Sequence, residues 1–270
     1  MRPVRTLTYG AVALVSAVGL ALPTLGSAAD AASSVHYVAL GDSYSSGVGT
    51  GSDSGSCGQS SAAFGPLWAA ANSPASFSFQ ACSGATIPDV ESSQLSALSS
   101  STTLVSITIG GNDAGFSTIM ETCVLESDSA CESAINSGVS TAQNTLPSEF
   151  ATLYSDIKSD APNAKIVYLD YPDFYDTSVS GCIGLDSTKH TALNNGIDAI
   201  DAAFKSAASA GGATFADVRS AFSGHELCDS NAWLHSVNVT DIDESYHPTA
   251  TGQSSGYLPV FSSAASSVGQ

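Results

Sequence analysis

Apolar residues along this chain fall into five short runs, each closed by a small polar turn. Residues 35–40 (VHYVAL) break at Gly41-Asp42-Ser43. Residues 76–81 alternate Phe77 and Phe79 with polar positions, the period of a strand, and end in Cys82-Ser83-Gly84. Residues 103–109 (TLVSITI) are β-branched and apolar, as a central strand requires, and end in Gly110-Gly111-Asn112-Asp113. Two further runs, 164–169 (AKIVYL) and 214–218, complete the set. Between them lie patterns of helical period: a short one near 66–71 with an early proline, 88–99, one reaching Cys123, 132–160 with an interruption near Pro147, 187–210, and a last one from Pro248 onward. Strands alternating with helices predict a parallel sheet with helices on both faces, a three-layer α/β/α sandwich. No internal repeat or interdomain linker interrupts this order, so residues 32–270 read as one domain. The stretch 220–246 is long for a plain connection and predicts a wall or lid over a site.

In such a sheet all strands point their carboxyl ends to one edge, where open α/β sheets place their ligands. Ser43, Gly84 and Asn112 each follow a different strand end. Ser43 is a candidate nucleophile, which needs a base for its proton and donors for a developing oxyanion. Its own N–H, the N–H of Gly84 and the side-chain amide of Asn112 supply three uncharged donors. His247, between the irregular stretch and the last helix, is the candidate base. His36, His190, His225 and His235 read as surface or loop residues, and Asp42 and Asp113 as local turn or cap acceptors. An acyl groove could draw on Phe64, Leu67, Trp68, Phe116, Ile119, Tyr171, Phe174, Tyr175, Trp233 and Leu234, most of which read better as ordinary core.

Composition adds the compartment and excludes some partners. Arg2 and Arg5 precede an apolar stretch from about residue 9 to 25, followed by the small residues Gly26-Ser27-Ala28-Ala29-Asp30-Ala31. That is the pattern of an export signal over 1–31, cleaved after Ala29 or Ala31, and it predicts a secreted, extracellular protein. The remainder keeps five basic residues against 25 acidic ones, a net charge of about −20. Such a surface repels nucleic acid and suits neutral or zwitterionic substrates, with a monomer as the expected state. Six cysteines, Cys57, Cys82, Cys123, Cys131, Cys182 and Cys228, all follow the signal. In an exported chain they predict three disulfides with fifteen possible pairings, of which Cys57–Cys82, Cys123–Cys131 and Cys182–Cys228 is the simplest. No Cys-x-x-Cys pair supports zinc, so neither a metal nor an organic cofactor is expected.

Four blocks carry a family resemblance: GDSYSSG around Ser43, CSGAT with Gly84, GGND with Asn112 and ESYHPTATG with His247. A lone GDS is weak, but four blocks in order are specific, and the chain resembles an SGNH (GDSL) hydrolase over about residues 35–265. The resemblance implies a flavodoxin-like five-stranded parallel sheet and ester hydrolysis through a Ser43 acyl-enzyme. The size, signal, six cysteines and SYHPTATGQ ending further resemble secreted lipases and phospholipases A of Streptomyces-type bacteria, which implies a lipid or other acyl-ester substrate, met at a membrane or micelle surface. A carbohydrate esterase removing acetyl groups from plant polysaccharide is the alternative, and a lipid- or glycan-binding module without catalysis the third reading. Most of the family carries aspartate three residues before the histidine. Here that position is Glu244, so either Glu244 or a backbone carbonyl such as that of Ser245 orients His247. The secreted relatives favour the carbonyl, a Ser–His dyad.

Overall fold

A computed structural model of the chain describes residues 34–182, 184–238 and 240–270, together with isolated positions before residue 11. The expected export signal therefore lies almost wholly outside the described residues. Ser33–Gln270 forms one compact unit.

Five parallel strands, β1 (His36–Gly41), β2 (Ser76–Phe79), β3 (Leu104–Thr108), β4 (Lys165–Leu169) and β5 (Thr214–Ala216), form one sheet in the order β2-β1-β3-β4-β5. This is the flavodoxin-like order, with its switch point beside β1. The central strand β3 is buried at every position, which explains why its sequence is continuously apolar or β-branched rather than alternating. Tyr37 pairs in register with Leu104, Gly41 with Thr108, Ile107 with Tyr168 and Leu169 with Ala216.

The helices are α1 (Ser43–Ser46), α2 (Phe64–Asn72), α3 (Ile87–Asp89), α4 (Phe116–Leu125), α5 (Asp128–Asn144), α6 (Leu146–Asp160), α7 (Ser187–Gly211), α8 (Arg219–Phe222) and α9 (Leu258–Ser267). Their ends follow local chemistry. The Ser127 side chain caps α5 by accepting from Ala130 N, and Asp186 caps α7 by accepting from Thr188 N and Lys189 N. Helix α7 stops at Gly212, whose φ of 72° is left-handed. One aromatic cluster, Tyr37, Phe64, Trp68, Tyr257 and Phe261, packs α2 and α9 against β1. A second, Phe150, Tyr168 and Phe204, packs α6 and α7 against β4.

Two sequence expectations need correction. Residues 88–99 are not one helix: after α3 the chain makes a π-helical turn, Val90–Gln94, and a 3-10 turn, Leu95–Ala97. The widened turn lets buried Gln94 reach β1, where its Oε1 accepts from Gly41 N (2.8 Å) and its Nε2 donates to Gly41 O (2.9 Å). A side chain that satisfies both polar groups of a strand-end residue outweighs one regular helical repeat. His190 is neither surface nor loop: it is buried in the first turn of α7 and stacks on Tyr175 with ring centres 3.8 Å apart. Among the described residues of 220–246 the structure adds the end of α8, a 3-10 turn, Ile242–Glu244, and isolated bridges from Leu227 to Tyr175 and from Leu234 to Pro248 to the expected irregular chain.

Candidate active site

The sharp exit from β1 depends on Gly41. Its φ is 123°, and a Cβ there would lie 2.3 Å from Thr108 O, so only glycine fits. Asp42 then caps the single turn α1, its Oδ1 accepting from Tyr44 N at 2.9 Å. Ser43 opens that turn, is 7 % exposed, and its N–H has no acceptor among the described residues.

The neighbouring strand ends are tied to this turn. Asp42 N donates to Thr108 O (2.9 Å) and Cys82 N to Gly41 O (2.9 Å). Asn112 Nδ2 donates to Ala85 O (2.9 Å), which leaves its second amide hydrogen for another acceptor. Beyond the local turn contact expected of it, the Asp113 carboxylate accepts from Ile87 N at 3.0 and 3.2 Å, bridging the loops that carry Gly84 and Asn112. Gly84 has a left-handed φ of 77° and open space around it. The Cys57–Cys82 disulfide crosslinks its loop to the loop that follows α1. The other two bridges are Cys123–Cys131 and Cys182–Cys228.

His247 arrives from the opposite side. Its Nε2 lies 2.7 Å from Ser43 Oγ, and its Nδ1 lies 3.1 Å from Ser245 O. A carbonyl only accepts, so Nδ1 carries the proton and Nε2 presents its lone pair to the serine. Burial pushes the imidazole down to about 4, keeping it neutral near pH 7. Glu244 is engaged elsewhere: its Oε1 accepts from Asn238 Nδ2 at 2.5 Å and lies 3.8 Å from His235 Nδ1. Of the two groups that the sequence leaves open for orienting His247, Ser245 O is the one within hydrogen-bond distance of Nδ1.

Four residues, Tyr44, Tyr246, His235 and Tyr171, hold this arrangement in roles that the sequence did not announce. Tyr44 Oη donates to Tyr246 O at 2.7 Å, and its ring sits 4.9 Å from the His247 ring. Tyr246 itself has φ 66°, a strained value for a bulky residue, and its hydroxyl meets that of Tyr175 at 2.8 Å. His235 N donates to His247 O (2.9 Å), while its Nε2 meets Gly49 O at 2.6 Å. Tyr171 Oη donates to Asp42 Oδ2 (2.5 Å) and accepts from Gly111 N (2.9 Å), so it clamps the nucleophile turn to the Asn112 loop. Burial raises Asp42 to about 7. These contacts span up to 202 residues, and no local pattern announces them.

Beside the Ser43–His247 pair opens a narrow pocket of about 60 Å³, walled by apolar side chains that include Phe116, Ile119, Phe174 and Leu193, and bounded by Tyr44 and Asn112. Of the ten groove candidates, Phe116, Ile119, Tyr171 and Phe174 line it. Phe64 and Trp68 are core instead, and Trp233 stacks on His225. On the other side of the site lies an acid-lined depression of about 330 Å³ with Asp53, Ser83, Asp241, Asp243 and Glu244 in its wall.

With that geometry in hand, likeness to known proteins is decisive for the family. Residues 39–254 match the GDSL-like lipase/acylhydrolase family. The chain belongs to this family. It is 53 % identical over 257 residues to "Lipase 1" of Streptomyces coelicolor, covering 93 % of this chain and 96 % of that one. Among solved structures, phospholipase A1 from Streptomyces albidoflavus superposes with a TM-score of 0.83 at 49 % identity, covering 85 % of this chain and 99 % of that chain. The extracellular lipase of Streptomyces rimosus superposes with a TM-score of 0.82 at 48 % identity, covering 85 % and 99 % respectively. The five-stranded fold and the identification as a carboxylic ester hydrolase of the SGNH type follow.

Proposed function

We propose that this SGNH hydrolase is a secreted lipase of phospholipase A type, acting as a monomer through a Ser43–His247 dyad on acyl esters of lipids. The observation that carries the reading is a serine–imidazole contact of 2.7 Å whose neighbours Tyr44, Asn112 and Phe116 line an apolar pocket. A substrate acyl chain in that pocket brings its ester carbonyl against Ser43. His247 Nε2 takes the Ser43 proton as Oγ attacks, and the N–H groups of Ser43 and Gly84 with the Asn112 amide receive the oxyanion. The imidazolium, steadied at Nδ1 by Ser245 O, returns the proton to the leaving alcohol. A water activated by the same histidine then releases the acid and restores Ser43. No step calls for a metal or cofactor.

Support for secretion comes from the signal-like sequence over 1–31 and from the extracellular relative. No helix among the described residues is long and apolar enough to cross a membrane. Hydrolysis of p-nitrophenyl esters from acetyl to palmitoyl, with phosphatidylcholine alongside and Ser43→Ala as control, tests the reading. Turnover extending to long chains and fatty-acid release from the phospholipid are the expected results. Activity confined to acetyl esters would transfer the assignment to a carbohydrate esterase, with the acid-lined depression as its substrate cleft.

A further inference from the structure

We propose that Cys182, Cys228 and His190 form a latent zinc site, opened when the disulfide between the two cysteines is reduced. A ring nitrogen of His190 and the two sulfurs all lie within 4.8 Å of one another. Among the described residues this is the one group of three such side chains close enough to hold an ion. No comparable third ligand stands beside Cys57–Cys82 or Cys123–Cys131 there. Ligand atoms of a tetrahedral zinc stand about 3.5–4 Å apart, from Zn–S bonds of about 2.3 Å and Zn–N bonds of about 2.0 Å. Side-chain rotation alone brings this trio to that spacing.

The state of His190 is the second, independent observation. The ring is only 3 % exposed and lies face to face with Tyr175. Its hydrogen bond to the backbone runs to Leu185, while Nε2 is buried with no partner. Nδ1 therefore carries the proton and Nε2 presents a lone pair. A histidine that gives one ring N–H to a carbonyl and aims the other nitrogen inward is the arrangement metal-ligating histidines take. Burial holds the imidazole below its usual range, so the lone pair is available at neutral pH. An intact disulfide has no hydrogen to offer that nitrogen, which leaves a buried acceptor unsatisfied. A metal ion satisfies it.

The opening step needs a reductant, and a dithiol supplies it. The dithiol passes two electrons and two protons to the S–S bond, which breaks into two thiols as the dithiol closes on its own disulfide. Zinc then displaces both thiol protons to solvent and takes two thiolates and the Nε2 lone pair, a cluster of zero net charge. Thiolate with imidazole selects zinc over calcium or magnesium. Three protein ligands leave a fourth position to solvent beside the half-buried cysteines. The cluster takes over the crosslink that the disulfide provided. It also sits beside the histidine side of the active site: Tyr175, stacked on His190, bridges to Leu227 next to Cys228, and its hydroxyl meets that of Tyr246.

The test uses the whole mature protein, reduced with dithiothreitol, desalted without oxygen and titrated with Co²⁺ and then Zn²⁺. Reduction opens the other bridges too, so His190→Gln and Cys182→Ser/Cys228→Ser are treated alongside. Reduced wild type should take up one Co²⁺ per chain with a thiolate-to-cobalt charge-transfer band, and Zn²⁺ should displace it. His190→Gln should bind about tenfold more weakly or worse, and the double serine variant should show no band. Zinc should also slow hydrogen exchange of residues 225–247 in reduced wild type, back toward the disulfide form, and leave it unchanged in His190→Gln. Equal affinity in wild type and His190→Gln, or a band that survives in the double serine variant, would overturn the proposal. So would a reduced wild type that takes up no metal, or a Cys182–Cys228 bridge that dithiothreitol leaves intact in the folded enzyme.

Discussion

The two halves of the active site are held in different ways. On the nucleophile side, Ser43, Gly84 and Asn112 leave three adjacent strands; main-chain bonds from Asp42 N to Thr108 O and from Cys82 N to Gly41 O fix their turns, and the Gln94 side chain holds both polar groups of Gly41. On the histidine side, no strand carries His247. It hangs on the hydroxyls of Tyr44 and Tyr175, on His235, on an isolated bridge between Leu234 and Pro248, and on a segment crosslinked through Cys182–Cys228. The first half inherits its geometry from sheet register. The second rests on a short antiparallel pairing outside the sheet, Tyr246 N to His235 O, His235 N to His247 O and Thr249 N to Trp233 O, reinforced by tyrosine hydroxyls, with fewer ladder bonds to resist local opening. An enzyme that needs its oxyanion donors rigid and its base to change protonation twice per turnover is served by that division.

Ways to break the comparison run from the catalytic pair outward. Ser43→Ala or His247→Ala should each remove kcat by about 10⁴-fold or more. A stopped-flow acylation burst surviving in either variant would unseat the pair. Asn112→Ala should lower kcat by about 10²–10³-fold with the melting temperature nearly kept. Wild-type turnover by that variant would take Asn112 out of the oxyanion hole.

Softness on the histidine side is read by the paired replacement Cys182→Ser/Cys228→Ser. It should cost about 2–4 kcal/mol of stability. Hydrogen exchange of residues 225–247 should quicken while residues 36–46 stay protected; equal loss in both segments would erase the distinction drawn here. The smallest effect belongs to Glu244→Gln. With Ser245 O orienting His247 and Glu244 on Asn238, its kcat/KM should stay within about twofold of wild type, the scale of an exposed polar contact. A loss of two orders of magnitude would instead make Glu244 a third member of the machinery.

Protonation separates the two halves as well. His247 must be neutral to act, and burial holds its pKa near 4, so the acid limb of kcat/KM should lie well below the 6.5 of a free imidazole. Stability runs the other way for the carboxylates. Burial raises Asp170 to about 8 and Asp42 to about 7, and pushes Asp201 well above its ordinary range. The folded state thus binds protons that the unfolded chain releases near 4. Their contribution is present at acid pH and lost as pH rises through about 7 to 8. His247 opposes this, since its depressed value costs stability as pH falls from 6.5 toward 4. Three carboxylates outweigh one imidazole, so the melting temperature should be higher at pH 5.5 than at pH 8.5. A scan that rises across that interval would contradict the raised values.

Much of the nucleophile side was legible beforehand, because its signals are local. A β-branched run that stops at Gly41, a capping Asp42 and a GGND turn each state their own geometry within a few residues. The helix break near Pro147 was legible for the same reason. The π-helical turn at Val90–Gln94 was not, since its cause is Gln94 reaching a strand 53 residues away. Nor were Tyr44, Tyr171, Tyr175 and Tyr246, whose partners are distant and whose sequence surroundings look like ordinary core.

By itself, then, the sequence determined the layer order, the strand ends that meet at one edge and the residue types available there, since periodicity and turn chemistry act over a few residues. Tertiary structure alone decided which group faces His247 Nδ1, which apolar residues open into a pocket rather than fill the core, and which carboxyls burial pushes above their ordinary range. Those outcomes depend on distance, burial and the competition of Asn238 and His235 for Glu244, quantities that exist only once segments far apart in the chain have been packed together.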